Sequence, residues 1–309
     1  MDENNNKTQK NKQAPIDVNL PTLPFYRLTN RPSNKPEVYE NEDKSIGVSF
    51  FKGKPSTQAQ KILFYLLSNT PRKDDGAVDI EKLRNEGIKF TYAEVCKFLE
   101  ITNQTNNRRR IKDDLIKLGN TTLHLHTKYI VKHGTNEANY INIKSVGLFE
   151  INLYDDEKRN EEIPKLPLWQ NQIKFDNVIL DNLSNNVFRL FDIHDIQKIK
   201  IPVALRIYGI ISLHNQSKVW RIGLTKLAKQ IPIQTKILKK TKQIIKKACD
   251  ELKELGLIRG YSIYTNPAGE EIIQFEFTPI NSFSVRQLDN RQGRVMNLYE
   301  SLIRGIKLN

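Results

Sequence analysis

Apolar side chains recur at helical spacing in three places between residues 55 and 120. Behind Pro55, Thr57 and Gln60 form a T-x-x-Q capping box, and Ile62, Leu63, Leu66 and Leu67 follow at the interval of one buried stripe. Thr91 and Glu94 set a second capping box ahead of Val95, Phe98 and Leu99. A third stripe, Ile111, Leu115 and Leu118, predicts a helix over residues 103–118 that stops at Gly119 in the C′ position. The period then falls to 2: Leu123-His124-Leu125-His126 alternates, Gly134 and Asn136 mark a turn, and residues 140–154 predict a returning strand. Three helices followed by a β-hairpin predict a winged-helix unit.

The same order then reappears. Residues 201–213 predict an apolar helix, 224–230 a short one with Leu227 and Ala228 inward, and 236–255 a long one. Residues 257–277 alternate on both sides of Thr265-Asn266-Pro267-Ala268-Gly269, a hairpin turn. The two long helices even end alike, in Leu115-Ile116-Lys117-Leu118-Gly119 and Leu252-Lys253-Glu254-Leu255-Gly256, which points to a structural duplication. The predicted fold class is therefore α+β, with two tandem winged-helix domains over residues 46–155 and 173–280. The charged, Pro-interrupted stretch 155–167 predicts a linker over 156–172. Residues 1–45 carry Pro15, Pro21, Pro24, Pro32 and Pro36 among Asn, Lys and Gln and predict a flexible arm, with Leu23, Phe25, Tyr26 and Leu28 the cluster costly to leave wet. Residues 281–309 are expected to form a tail with a short helix.

Charge narrows the function. Among 309 residues, 49 Lys and Arg stand against 35 Asp and Glu, and the net charge of +14 favours a polyanionic partner, nucleic acid first. Cys96 and Cys249 lie far apart without a C-x-x-C pair, so neither a disulfide framework nor a cysteine zinc site is indicated. No segment approaches 18 uninterrupted apolar residues and the N-terminus has no apolar signal core, so the expectation is a cytoplasmic protein with no membrane partner.

The basic excess is concentrated. Residues 236–259 hold eight basic and three acidic side chains, a local net of +5. On a helical wheel Ile237, Ile244, Ile245, Ala248, Leu252 and Leu255 share one side, while Lys236, Lys239, Gln243 and Lys246 face the other, flanked by Lys242, Lys247 and Lys253. Such a helix fits the major groove, where Lys and Gln reach base edges and flanking lysines neutralise phosphates. In the first unit Asn106, Arg108, Arg109 and Arg110 open the third helix, where a recognition helix meets DNA, although Asp113 and Asp114 dilute the charge there. Arg221 beside Trp220 and Arg259 at the wing base are candidate phosphate contacts.

His124 and His126 form a His-hydrophobic-His pattern, which in a DNA-nicking enzyme binds a divalent metal beside a nucleophilic tyrosine on a helix. Tyr129 and Tyr140 sit on the predicted hairpin and Tyr208 in an apolar run, so two solvent-facing strand histidines explain the pattern more simply. No G-x-x-x-x-G-K-[ST], G-x-G-x-x-G, G-x-S-x-G or H-E-x-x-H motif is present, and neither a catalytic residue, a metal nor a cofactor is expected.

On these residues the chain resembles the plasmid replication initiators of the Rep type, built from two winged-helix domains. The match runs over residues 178–264, through Val178-Ile179-Leu180, Ile201-Pro202-Val203-Ala204-Leu205-Arg206-Ile207-Tyr208 and Ala248-Cys249-Asp250-Glu251-Leu252-Lys253-Glu254-Leu255-Gly256-Leu257-Ile258. The long gap between the first two helices and the N-terminal arm depart from the compact pattern. The resemblance implies binding of double-stranded origin DNA at direct repeats called iterons, opening of a nearby A·T-rich segment, and recruitment of the host helicase and replication initiation proteins. It also implies that monomers initiate and homodimers repress or pair origins. A winged-helix transcription regulator without a replication role is the nearest alternative of the same fold, and the metal-dependent nicking enzyme the alternative of another class.

Overall fold

The computed structural model describes residues 13–17, 25–28, 34–40, 46–133, 136–153, 171–184, 188–214, 217–231, 233 and 237–277. In chain order, β1 (Gln13–Asp17), β2 (Glu37–Glu40) and β3 (Ile46–Phe50) precede α1 (Thr57–Ser68), α2 (Ile80–Glu86), β4 (Ile88–Phe90), α3 (Tyr92–Phe98) and α4 (Thr105–Gly119). Four strands come next, β5 (Thr121–His133), β6 (Asn136–Gly147), β7 (Phe149–Asn152) and β8 (Asn171–Phe175). Then come α5 (Asn177–Ser184), β9 (Phe188–Asp192), α6 (Ile193–Lys198), α7 (Pro202–Ile211), β10 (Val219–Gly223), α8 (Leu224–Gln230), α9 (Leu238–Glu254), β11 (Gly260–Thr265) and β12 (Glu271–Glu276).

Both predicted winged helices are present, and their sheets share one topology. In the first, three antiparallel strands run β4-β8-β7; in the second, β10-β12-β11. Each centres on a fully buried isoleucine flanked by two others. Ile173 pairs with Ile88 and Ile151, and Ile273 with Ile222 and Ile263. This topology corrects the predicted boundaries. The wing of the first unit is β7–β8, so the stretch expected to be a linker over 156–172 connects two strands of one sheet, and the first unit extends to Phe175. Charge and prolines in a sequence do not separate a connection within one unit from a linker between two, and only the pairing of β7 with β8 does. The hairpin that directly follows α4 is not the wing: β5 and β6 join β2 and β3 in a separate sheet of order β2-β3-β5-β6. Residues 154–170, and 278–309 with the predicted tail helix, lie outside the described residues.

Local chemistry sets the helix ends, not always as predicted. Ser56 and not Thr57 caps α1, its hydroxyl accepting from the Gln58 and Ala59 amides at 3.1 and 3.3 Å, while Gln60 is buried. The Thr91–Glu94 capping box forms as predicted. Gly256 follows α9 at φ 71°, the left-handed geometry a C′ glycine supplies. Gly119, in contrast, is the last residue of α4, and a Cβ there would meet the Ile151 side chain at 3.4 Å, so it admits close packing of β7.

The N-terminal segment predicted to be mobile is instead structural over its described residues. β1 pairs antiparallel with β9, and Ala14, Ile16, Phe25 and Tyr26 are buried. Pro15 forbids a helix or a central strand but is compatible with a two-stranded ribbon, where one side of the strand needs no partner. The ribbon lies where the two units meet. Phe64 of α1 packs on Phe191 of β9 at 5.5 Å, and Phe191 meets Tyr208 of α7 edge-on at 5.8 Å. Lys61 of α1 donates to the Gln197 carbonyl at 2.9 Å, and Gln197 Nε2 donates to the Phe98 carbonyl at 2.7 Å. Arg206 of α7 is buried beside Tyr26; its Nη2 donates to the Gln230 carbonyl at 3.2 Å, and burial lowers its pKa to about 10. One hydrophobic core therefore runs through both winged helices and the arm.

Candidate nucleic-acid interface

The candidate surface is built on α9, the third helix of the second winged helix. Thr241, Ile245, Ala248, Cys249 and Leu252 form its buried stripe and fix its rotation against α7 and α8. With that stripe inward, Lys239, Gln243, Lys246 and Lys247 are exposed as predicted. Lys240 is exposed beside them. The sequence reading did not single it out, and its place within the same basic run is the signal that marks it. Lys236 lies outside the described residues.

The carboxylates of α9 sit in its C-terminal half, and two of them have structural tasks. Asp250 accepts from the Tyr261 hydroxyl of β11 at 2.6 Å, which ties the wing to the helix. Burial and that carboxylate push the Tyr261 phenol up. Glu251 caps α7, accepting from the Lys200 and Ile201 amides at 2.9 and 3.0 Å. The first turn of α9 holds no acidic residue, and its N-cap residue, Ile237, has no polar side chain to cap it. The N-terminal half of the helix is therefore positive from both lysines and backbone dipoles, the arrangement that favours phosphate.

Of three further predicted contacts, two are reassigned or qualified and the third is exposed. Lys242 is half-buried and forms an ion pair with Glu271 of β12, so it holds the wing against α9 and is not a free phosphate ligand. Arg221 is exposed on β10, but its Nε donates to Gln274 Oε1 at 2.7 Å, which fixes the guanidinium along the sheet. Arg259 is exposed at the wing base, with its amide bonded to the Glu276 carbonyl at 2.8 Å. Ile237, assigned to the core side of the wheel, is the N-cap residue and is 63% exposed, because the buried stripe starts one turn after it, at Thr241.

On α4 the arrangement differs. Asn106, Arg109 and Arg110 are exposed, but Arg108 is half-buried and its Nε donates to Asn103 Oδ1 at 2.8 Å. Asp113 stays on the exposed face one turn beyond Arg109 and binds the buried Lys117 at 2.7 Å. Asp114, expected to dilute the surface charge, points inward. It accepts from the Ser56 amide at 2.9 Å and from the Ser56 hydroxyl, and burial raises its pKa against those bonds. A cavity of about 580 Å³ at this junction is lined by Arg27, Ser56, Thr57, Gln58, Arg110, Asp113 and Asp114.

His124 has both ring nitrogens engaged by hydroxyls of neighbouring strands, Ser49 Oγ at 2.7 Å from Nε2 and Ser145 Oγ at 2.8 Å from Nδ1. Neither is presented to a metal. His126 pairs with Ile143 through the backbone of the β5–β6 hairpin. Among the described residues, no group of three or more His, Cys, Asp or Glu side chains is placed to hold a metal ion, and no helix is long and apolar enough to cross a membrane.

Comparison with known proteins agrees with this architecture. Two crystal structures of domains 2 and 3 of RctB, one spanning RctB residues 155–483 and one a selenomethionine derivative, superpose with TM-scores of 0.53 and 0.56. Each is 10% identical and covers 84% of this chain, with 96% and 98% of the RctB chain matched, so the likeness is one of fold. No curated protein sequence matches. The family model described as initiator replication protein, WH1, matches residues 47–212, which takes in the first winged helix with its β7–β8 wing and continues through α7. With more than half of its length matched to that model, and with two winged helices of the same sheet order, the chain belongs to the initiator replication protein family.

Proposed function

We propose that this initiator binds double-stranded origin DNA at direct repeats, with α9 in the major groove as the helix that reads sequence. The observation that carries the reading is the segregation of charge along α9. Lys239, Lys240, Gln243, Lys246 and Lys247 are exposed together, while Asp250 and Glu251 are engaged behind them by Tyr261 and the α7 N-terminus. Lys and Gln in that setting reach base edges, and the flanking lysines meet phosphates. Arg109 and Arg110 of α4 supply a second, weaker contact, so one molecule spans adjacent grooves. Arg221 and Arg259 act at the backbone.

The same proposal extends to the steps after binding: opening of an adjacent A·T-rich segment, recruitment of host helicase and initiation proteins, and a homodimer as the repressing or origin-pairing state. None of these steps calls for a catalytic residue, metal or cofactor of this chain, and the setting is the cytoplasm.

Footprinting of the full chain on DNA flanking its own gene tests the proposal. The expected result is protection of regularly spaced repeats, with log affinity falling against log salt at a slope set by roughly six to ten phosphate contacts. Salt-insensitive binding, or equal affinity for repeats and random duplex, contradicts it. Protection of a promoter with no strand opening in permanganate mapping would favour transcription regulation, and metal-dependent cleavage of single-stranded origin DNA would favour nicking.

A further inference from the structure

The start of α9 carries an apolar pair that the basic face does not explain. Leu238 is 48% exposed and Ile237 63% exposed, although the rest of the apolar stripe, from Ile245 to Leu252, is buried. Leaving two large aliphatic side chains wet on a helix otherwise covered in lysine forfeits the free energy their burial would supply.

Their position narrows what covers them. In a helix the Cα–Cβ bonds lean toward the N-terminus, so first-turn side chains project forward past the helix end. A recognition helix meets base edges with that end. Lys239 and Lys240 come directly after, both exposed, and no acidic residue is present in the turn. A surface that is apolar at its tip and cationic around it complements a polyanion with an apolar spot inside its groove. In duplex DNA that spot is the thymine C5-methyl group, the one apolar feature of the major-groove edges.

We infer that Leu238, with Ile237 beside it, contacts thymine methyl groups of the repeat and makes the second winged helix selective for T at one or two positions. The inference rests on α9 being the reading helix. The first winged helix has no counterpart. Its α4 opens with Thr105-Asn106-Asn107-Arg108, and there Asn107 Nδ2 donates back to the Thr102 carbonyl at 2.8 Å and Arg108 to Asn103.

Uracil substitution isolates the methyl group, because deoxyuridine pairs as thymidine does and differs only in lacking it. Fluorescence anisotropy of the full chain on the footprinted repeat, with each thymidine replaced in turn, should show about a three- to fivefold loss of affinity at one or two positions and none elsewhere. Leu238→Ala should bind the all-thymine repeat as weakly as the native chain binds the sensitive uracil repeat, with no further loss on substitution. Leu238→Met, which keeps an apolar tip, should restore the uracil sensitivity. Thermal unfolding of both variants should match the native chain, since the position is exposed.

Uracil insensitivity at every position, or an equal loss retained in Leu238→Ala, overturns the inference while leaving sequence-specific binding intact. Unchanged DNA binding by Leu238→Ala with reduced self-association in sedimentation assigns the pair to a protein contact and overturns it too. Absence of any repeat preference in the native chain removes the proposed function first, and this inference with it.

Discussion

The two winged helices share a sheet order and an isoleucine triplet across it, yet they present different helices to solvent. On α4 an aspartate remains on the exposed face one turn from Arg109, and Arg108 is held by Asn103. On α9 the first three turns expose lysines and a glutamine, with acids only from Asp250 onward. The first unit is also the elaborated one, carrying α2, the β2-β3-β5-β6 sheet and the arm that reaches β9. The second, from α7 onward, has only the elements a winged helix needs, with α5, β9 and α6 leading into it. One scaffold thus serves twice: the first copy is built into the assembly of the molecule, and the second is left clear to meet a ligand.

The largest expected effect concerns that assembly. Phe25→Ala removes a buried aromatic ring of the arm and should cost about 3–5 kcal/mol in urea unfolding. A loss below about 1 kcal/mol would mean that the arm is peripheral and that the contrast between the units is overstated. Next, Lys239→Ala and Gln243→Ala should each lower affinity for the repeat by about 1–3 kcal/mol. Arg109→Ala should do less, because Asp113 already offsets charge on its face. Equal losses on both helices would erase the assigned division of labour.

Tyr261→Phe should be milder. It removes the hydroxyl that binds Asp250 and leaves the ring in place, so thermal unfolding should report about 0.5–1.5 kcal/mol. A larger loss of repeat affinity than of stability would show that the wing itself makes a DNA contact. The smallest expected change is Lys247→Ala, which should weaken binding to all duplexes alike and reduce the salt slope by about 1. A change in base preference instead would move Lys247 into the reading set.

The elements legible in the sequence are the local ones. The stripes of α1, α4 and α9, the Thr91 capping box and the 265–269 turn are written in neighbouring residues, and each element formed where the pattern placed it. β4 and β10 were missed because each is short and finds its place only by pairing with strands far along the chain. The same long-range pairing hid the true wing of the first unit: Ile173 meets Ile88 across more than eighty residues, and nothing near Pro167 announces it. The arm reads as flexible because prolines and polar residues dominate its composition, whereas Ile16 packs with Phe25 and Tyr26, the two aromatic residues of the cluster that is costly to leave wet. Within the candidate interface, the direction of the α9 face was legible from its buried stripe. The pairing of Lys242 with Glu271 was not, since it depends on where β12 lies.

The central claim, that α9 reads the sequence, is tested most directly by selecting bound duplexes from a randomised library. The native chain, the Lys239→Ala/Gln243→Ala variant and the Arg109→Ala/Arg110→Ala variant are compared. The account predicts that the α9 variant loses information at defined base pairs of the selected repeat, while the α4 variant selects the same repeat with lower yield. An unchanged repeat from the α9 variant, together with an altered or lost one from the α4 variant, would contradict it and assign sequence reading to the first winged helix.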